Sequence, residues 1–184
     1  MKRHYYITGF MGAGKSKIGR ALAEMLNLPF VDTDHLIEQE AGMSIRAIFS
    51  LYGENHFREL ERQIMATVSG REQAQVISPG GGALLDPETF ARVRETGWII
   101  YIKSKPEEIL NRVKHSKKRP LLAVPDGPDY EQRLLAKIVD LLNQREPHYL
   151  QADLVFDRDG LEWQQAAQQL KNLIKQKLNP KTEE

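Results

Sequence analysis

No cysteine occurs among the 184 residues. Disulfides, thiolate metal sites and cysteine nucleophiles are thereby excluded together, and the absence fits a reducing cytosol. A surplus of charge of either sign is also lacking: 26 Lys and Arg stand against 25 Asp and Glu, a net of +1 with histidines neutral. Proteins that coat polyanions carry a basic surplus, so this balance gives such a role no support. A small phosphate site needs only a few local charges and stays open. Long apolar runs are missing too. Stretches such as 98–102 cover a few residues, far below the ~20 that cross a bilayer. The first eight residues hold Lys2 and Arg3 but no apolar core, so no secretory signal is legible. The five histidines, at 4, 35, 56, 115 and 148, have no metal-ligand spacing. What remains is one domain, 1–184, expected to be cytoplasmic and monomeric, with no membrane or nucleic-acid partner.

Short apolar runs bounded by turn residues alternate with longer segments of helical period. Strands are expected at 5–8, 29–32, 75–78, 98–102 and 153–156. Ile18, Ala21, Leu22, Met25 and Leu26 recur at i, i+3, i+4, i+7 and i+8, the stripe of an amphipathic helix. Helical pattern also covers 35–69, with breaks near Gly42 and Gly53, then 87–96, 106–114, 129–145 and 161–178. In the last of these Trp163, Ala166, Ala167, Leu170, Leu173 and Ile174 form the stripe. Strands alternating with helices predict parallel crossovers, hence a layered α/β fold. The polar ends, Lys2-Arg3 and 179–184, are expected to fray. Between 114 and 119 the cations Lys114, Lys117, Lys118 and Arg119 cluster around His115, followed by Pro120, Pro125, Gly127 and Pro128. A long irregular basic loop inside a compact domain reads as a functional lid, 113–127.

Gly9-Phe-Met-Gly12-Ala13-Gly14-Lys15-Ser16 matches G-x-x-x-x-G-K-[ST] at every fixed position, with a strand before it and a helix after it. Glycines at 9, 12 and 14 permit tight turns that aim successive N–H groups at phosphate oxygens. A helix starting near Lys15 directs its positive end at the same anion. The stretch 9–17, including Ala13 and Lys17, is therefore read as nucleotide-binding. Lys15 can bridge β- and γ-phosphates, and the Ser16 hydroxyl can ligate Mg²⁺. No Asn-Lys-x-Asp segment exists to read guanine. Asp157-Arg-Asp-Gly160 formally fits D-x-x-G, but it follows the final strand candidate, where a turn explains it. A large motor or transporter needs more chain. A small kinase or a nucleotide-gated binding module is left.

On the acceptor side Asp32 and Asp34 end the second strand candidate, where ligands gather in open α/β sheets. Alternate positions on an extended segment point the same way, so both carboxylates can face one crevice, although one Asp there also suits a helix N-cap. Arg58 can pair along its own helix with Glu54 or Glu61, yet its planar guanidinium also suits capture of a carboxylate. Gly80-Gly81-Gly82 reads either as a flexible turn or as close backbone approach to a ligand.

Taken in order, the nucleotide loop, Asp32-Thr-Asp34, Gly53-Glu-x-x-Phe57-Arg58-x-x-Glu61, the glycine triplet, Arg119-Pro-Leu-Leu122 and Arg145-x-Pro147-x-Tyr149 resemble the shikimate kinases. The resemblance implies a P-loop fold with a five-stranded parallel sheet, order 2-3-1-4-5, and a mobile lid. It further implies transfer of the γ-phosphate of Mg·ATP to the 3-hydroxyl of shikimate. On it, residues 32–62 form the shikimate-binding region and Asp34 orients the acceptor hydroxyl. Asp32 holds water on Mg²⁺, Arg58 and Arg145 bind the shikimate carboxylate, and Gly80, Gly81 and Gly82 contact substrate. Arg119 supplies a mobile cation to the migrating phosphoryl group, and Arg112 stacks on adenine. Another small-metabolite kinase, acting on gluconate or a nucleoside monophosphate, and a non-enzymatic nucleotide-dependent module are the alternatives.

Overall fold

The computed structural model of the chain describes residues 2–116 and 119–178. Lys117 and Lys118 of the basic loop, and the polar stretch 179–184, lie outside the described residues.

Five strands pair in parallel: β1 (His4–Thr8), β2 (Phe30–Asp32), β3 (Val76–Ser78), β4 (Gly97–Lys103) and β5 (Leu154–Asp157). Their order is β2-β3-β1-β4-β5, as expected. Helices cover both faces, which is why strand residues such as Tyr6, Ile7, Ile77, Ile99 and Ile100 are consecutively apolar and buried. Successive side chains point to opposite faces. Ile7 and Ile100 therefore meet Ile18, Ala21 and Leu22 of α1 (Lys15–Leu26) and Ala166, Ala167, Leu170 and Ile174 of α7 (Trp163–Lys177). Tyr6, Ile77 and Ile99 face the other way. They pack with Ile37 of α2 (Thr33–Ala41), with Phe57, Ile64 and Met65 of α3 (Ile45–Ser69), and with Val93 of α4 (Pro87–Thr96). A third cluster joins Phe10 and Tyr101 to α5 (Pro106–Val113), α6 (Tyr130–Tyr149) and Leu122 of a short 3-10 helix, Pro120–Leu122.

From β1 the chain fills one side of the sheet with β2 and β3, and then the other with β4 and β5. The switch in direction lies at β1, and the crevice it opens lies at the strands' C-terminal ends. The nucleotide loop, Asp32 with Asp34, and the glycine triplet follow β1, β2 and β3 directly at that end, whereas Arg58 and Arg145 come from α3 and α6.

Two boundaries differ from the sequence pattern and one agrees with it. α6 continues four residues past 145, although Pro147 lies in its final turn. Proline removes one helical donor, but the Leu150 N–H still donates to Glu146 O at 2.9 Å and closes the turn. Arg145 and Tyr149 thus stand four apart on one helix face. α3 carries its expected interruption at Gly53 (φ 80°, ψ 175°), after which the helix resumes. Lys2 and Arg3, expected to fray, are tied down. Lys2 Nζ pairs with Asp153 at 2.9 Å and sits 4.2 Å from the Trp98 ring centroid, while the Arg3 N–H donates to Thr96 O at 2.8 Å. The main chain ahead of β1 lies against the chain entering β4, so it has partners that local composition does not reveal.

His4 is fully buried and packs edge-on against Tyr6, ring centroids 5.8 Å apart. Burial, aided by Arg3 and Arg71, lowers its pKa from 6.5. The unfolded chain therefore binds more protons than the folded one below about pH 6.5, and stability falls as pH drops through that value. His4→Gln should show a shallower loss of melting temperature between pH 7.5 and 5.5 than the parent. Each kcal/mol of this linkage corresponds to ~2–4 °C. Equal slopes in the two proteins would rule out His4 as the titrating group.

Candidate active site

The nucleotide loop leaves β1 and turns through Gly12 and Gly14, both at positive φ (86° and 92°), into α1. The positive φ favours glycine at 14, and a Cβ there would also displace the Arg158 guanidinium. Lys15 folds back across the loop, donating to Gly9 O at 2.9 Å and Phe10 O at 3.3 Å. Burial lowers its pKa to about 8, with Asp34 pulling the other way. Ser16 and Lys17, in the first turn of α1, are exposed and line the cleft. Ala13 is fully buried, and its carbonyl accepts from Arg158 Nη1 at 3.1 Å.

Asp32 ends β2 and caps α2, its Oδ1 accepting the N–H groups of Asp34 (3.1 Å) and His35 (3.4 Å). Asp34 stands in the first helical turn, not on an extended segment. The reason for expecting the two carboxylates to be parallel was therefore wrong. Asp32 caps the very turn that carries Asp34, and both line one cleft with Lys15. Asp34 Oδ1 is buried and has no hydrogen-bond partner among the described residues. Burial raises the Asp34 pKa, and Lys15 opposes that rise.

Beside this cleft lies a second pocket, lined by Asp34, Phe49, Phe57, Arg58, Glu61, Gly80–Gly82, Arg119 and Arg145. Arg58 pairs along α3 with both candidate acids: Nη1 with Glu61 Oε2 at 2.6 Å, and Nη2 with Glu54 Oε1 at 2.9 Å. It lines the pocket as well, so the two readings of this residue coexist. Glu61 is 3% exposed, and burial raises its pKa against the pull of Arg58. Arg145 is 7% exposed, and its Nη1 is unpartnered among the described residues. Four residues on, the Tyr149 hydroxyl donates to Gly81 O at 2.5 Å and fastens the glycine triplet to α6. The Gly80 N–H donates to Thr33 Oγ1 at 3.1 Å. A Cβ at Gly80 would fall 2.8 Å from Asp34 Oδ1 and closer still to Glu61, which explains its lack of a side chain.

Met11, Asp34, Gly81 and Arg119 line both cavities. The two spaces therefore meet at one carboxylate and one guanidinium. Burial lowers the Arg119 pKa, with Asp34 opposing. Arg112, Arg158, Leu161 and Trp163 also line the nucleotide cleft. Arg112 is held by Glu108 at 2.8 Å and Ser104 Oγ at 3.1 Å.

Every described residue assigned from sequence thus lies at this crevice. Glu61 is one of the two partners expected for Arg58, whereas Tyr149 stands in its motif without a role, and its spacing of four from Arg145 is the available signal. Arg158 and Trp163 were missed. Their signal was topological, a segment leaving a parallel strand at the C-terminal edge. Among the described residues no three His, Cys, Asp or Glu side chains converge on a possible metal position. Nor is any described helix long and apolar enough to cross a membrane.

The family model for shikimate kinase matches residues 11–175. A shikimate kinase from Chlorobaculum tepidum is 43% identical over 163 residues, which is 87% of this chain and 85% of that protein. The solved shikimate kinase of Acinetobacter baumannii, in complex with shikimate, superposes with a TM-score of 0.86 at 33% identity, covering 100% of this chain and 97% of the other. That of Bacteroides thetaiotaomicron gives 0.83 at 32% identity, covering 94% and 98%.

Proposed function

Because the chain belongs to the shikimate kinase family, we propose that the cleft over the nucleotide loop holds ATP and the adjoining pocket holds shikimate. The reaction is the family's: the γ-phosphate of ATP passes to the 3-hydroxyl of shikimate, giving shikimate 3-phosphate and ADP on the way to chorismate and the aromatic amino acids. What carries the division of roles is the wall that both cavities share, Met11, Asp34, Gly81 and Arg119. A phosphoryl group crossing from one space to the other passes between the Asp34 carboxylate and the Arg119 guanidinium.

On this reading Arg58 and Arg145 hold the shikimate carboxylate with charge-assisted hydrogen bonds. The Gly80 amide is already engaged by Thr33, so Gly81 and Gly82 are the triplet's remaining main-chain donors. Asp34 accepts the hydrogen bond of the acceptor hydroxyl, orients it for in-line attack, and takes its proton late. Lys15 leaves the Gly9 and Phe10 carbonyls for the β- and γ-phosphates. Lys15 and Arg119 then balance charge on the migrating group, while Arg112 stacks on the adenine. The described part of 113–127 roofs the junction with Pro120 and keeps water from competing as acceptor.

The donor set fits Mg²⁺, which is ordinarily held by one or two protein oxygens together with substrate phosphates and water. Ser16 Oγ would ligate it directly and Asp32 through water. Bound there, the ion neutralises charge on the β- and γ-phosphates. The cytoplasmic reading rests on composition, and the monomer is an expectation that sedimentation tests.

The deciding assay is shikimate-dependent release of ADP. Turnover with gluconate or AMP but not shikimate would assign a different acceptor. Lys15 gives a second expectation. With its pKa near 8 in the free protein, the lysine is about half protonated at pH 8, and incoming phosphates raise that pKa. ADP binding should take up roughly half a proton at pH 8, and this uptake should vanish and turn to release near pH 6.5, where Lys15 is already charged and the terminal phosphate of ADP, with a pKa of about 6, sheds its own proton on meeting the cationic site. Calorimetry in buffers of different ionisation enthalpy measures this, and pH-independent uptake contradicts it.

A further inference from the structure

The turn after β5, Asp157 to Gly160, has no role in the reading above. Its arginine nevertheless reaches the nucleotide loop. Arg158 is 7% exposed. Its Nη1 donates to Ala13 O at 3.1 Å and its Nη2 to Leu161 O at 3.0 Å. Nε has no partner among the described residues, and no carboxylate pairs with the guanidinium within 4 Å there. The side chain occupies the space that a Cβ on Gly14 would take, and it lines the nucleotide cleft with Arg112, Gly160 and Leu161.

We propose that Arg158 is a positioning residue for the nucleotide phosphates: by pinning the Ala13 carbonyl it aims the Gly14 N–H into the loop's anion cradle. The step follows from peptide geometry. A trans peptide is planar, so its C=O and N–H point in opposite directions. Fixing the Ala13 carbonyl toward Arg158 turns the Gly14 N–H away from Arg158, toward the concave side where phosphate oxygens bind. The second hydrogen bond fixes Leu161, so one side chain joins the phosphate-binding backbone to the outer wall of the same cleft. A buried cation with no carboxylate partner also favours an anion nearby. Two carbonyls spaced for a planar fork account for arginine at this position.

This inference rests on the nucleotide reading of the cleft, and its test separates the two. ADP and shikimate affinities are measured by calorimetry for the parent, Arg158→Gln and Arg158→Lys, each first shown to be folded by circular dichroism. Arg158→Gln should weaken ADP binding by about 10- to 100-fold and leave shikimate binding within twofold. Arg158→Lys, able to reach one carbonyl, should recover part of the loss. ADP affinity within twofold of the parent in Arg158→Gln, or equal losses for both ligands, overturns the proposal. Failure of the parent itself to bind ADP would instead refute the nucleotide reading. If neither variant folds, the parent decides by NMR. ADP should shift both the Gly14 amide and the Arg158 guanidinium resonances, and an unmoved guanidinium signal overturns the proposal.

Discussion

Asp34→Asn should lower kcat by ~10²- to 10⁴-fold, the range typical of losing a general base, while ADP still binds at pH 7. The amide preserves the shape of a carboxylate whose Oδ1 is buried and unpartnered, so a packing loss cannot mimic the effect. What disappears is the proton acceptor and one negative charge. That charge is the main influence holding the Lys15 pKa up against burial. The variant should therefore bind ADP normally at neutral pH and lose affinity at a lower pH than the parent. Steady-state kinetics with saturating shikimate, paired with calorimetric ADP titration, reads both effects. Unchanged turnover would remove Asp34 from the mechanism, and lost ADP binding at pH 7 would recast it as part of the nucleotide site.

Arg145→Lys should raise the shikimate KM by roughly 30- to 100-fold, and Arg58→Lys by only about tenfold, with the ATP KM little changed in either. The ranking comes from what each guanidinium already holds. Arg58 spends its donors on Glu54 and Glu61, so a carboxylate ligand gets a shared, partly neutralised cation. Arg145 is buried with Nη1 unpartnered and has a donor to give. A lysine at either position is a point charge that cannot present two parallel N–H groups. Equal KM increases, or a larger one for Arg58→Lys, would show that the carboxylates on α3 do not divert Arg58 from substrate.

Much of this is legible in the sequence, and the reasons are local. The nucleotide loop carries its conformation in its glycines. Both faces of the sheet are covered, so its strands are short apolar runs bounded by turn residues. The stripe Ile18, Ala21, Leu22 marks α1 on spacing alone. Longer-range partners were not legible. The helical pattern of α6 stops at 145, yet the helix runs on through Pro147 to Tyr149, because the packing that carries a helix past a missing donor is not visible in local spacing. Arg158 looked like a turn residue, since its Ala13 partner lies 145 positions away. Asp34 was placed correctly for a mistaken reason: β2 ends at Asp32, and a cap rather than an extended strand brings the second carboxylate to the cleft. In each case a local rule gave the element, while side-chain contacts between distant segments decided what the element does.

The pairing of α1 with α7 has a consequence for synthesis on the ribosome. α1 buries Ile18, Ala21 and Leu22 against Ala166, Ala167, Leu170 and Ile174. Roughly 140 residues are translated between these two stripes, about 7–30 s at ordinary elongation rates. Over that interval the nascent chain has the nucleotide loop and its following helix but not the helix that covers them. β2 is likewise made before β3, which must insert between it and β1. A chaperone watching this polypeptide emerge meets an α1 whose sheet-side partners Ile7 and Val76 are made early but whose α7 side stays uncovered until the last helix appears, and the loop that cradles ATP is made early and braced late.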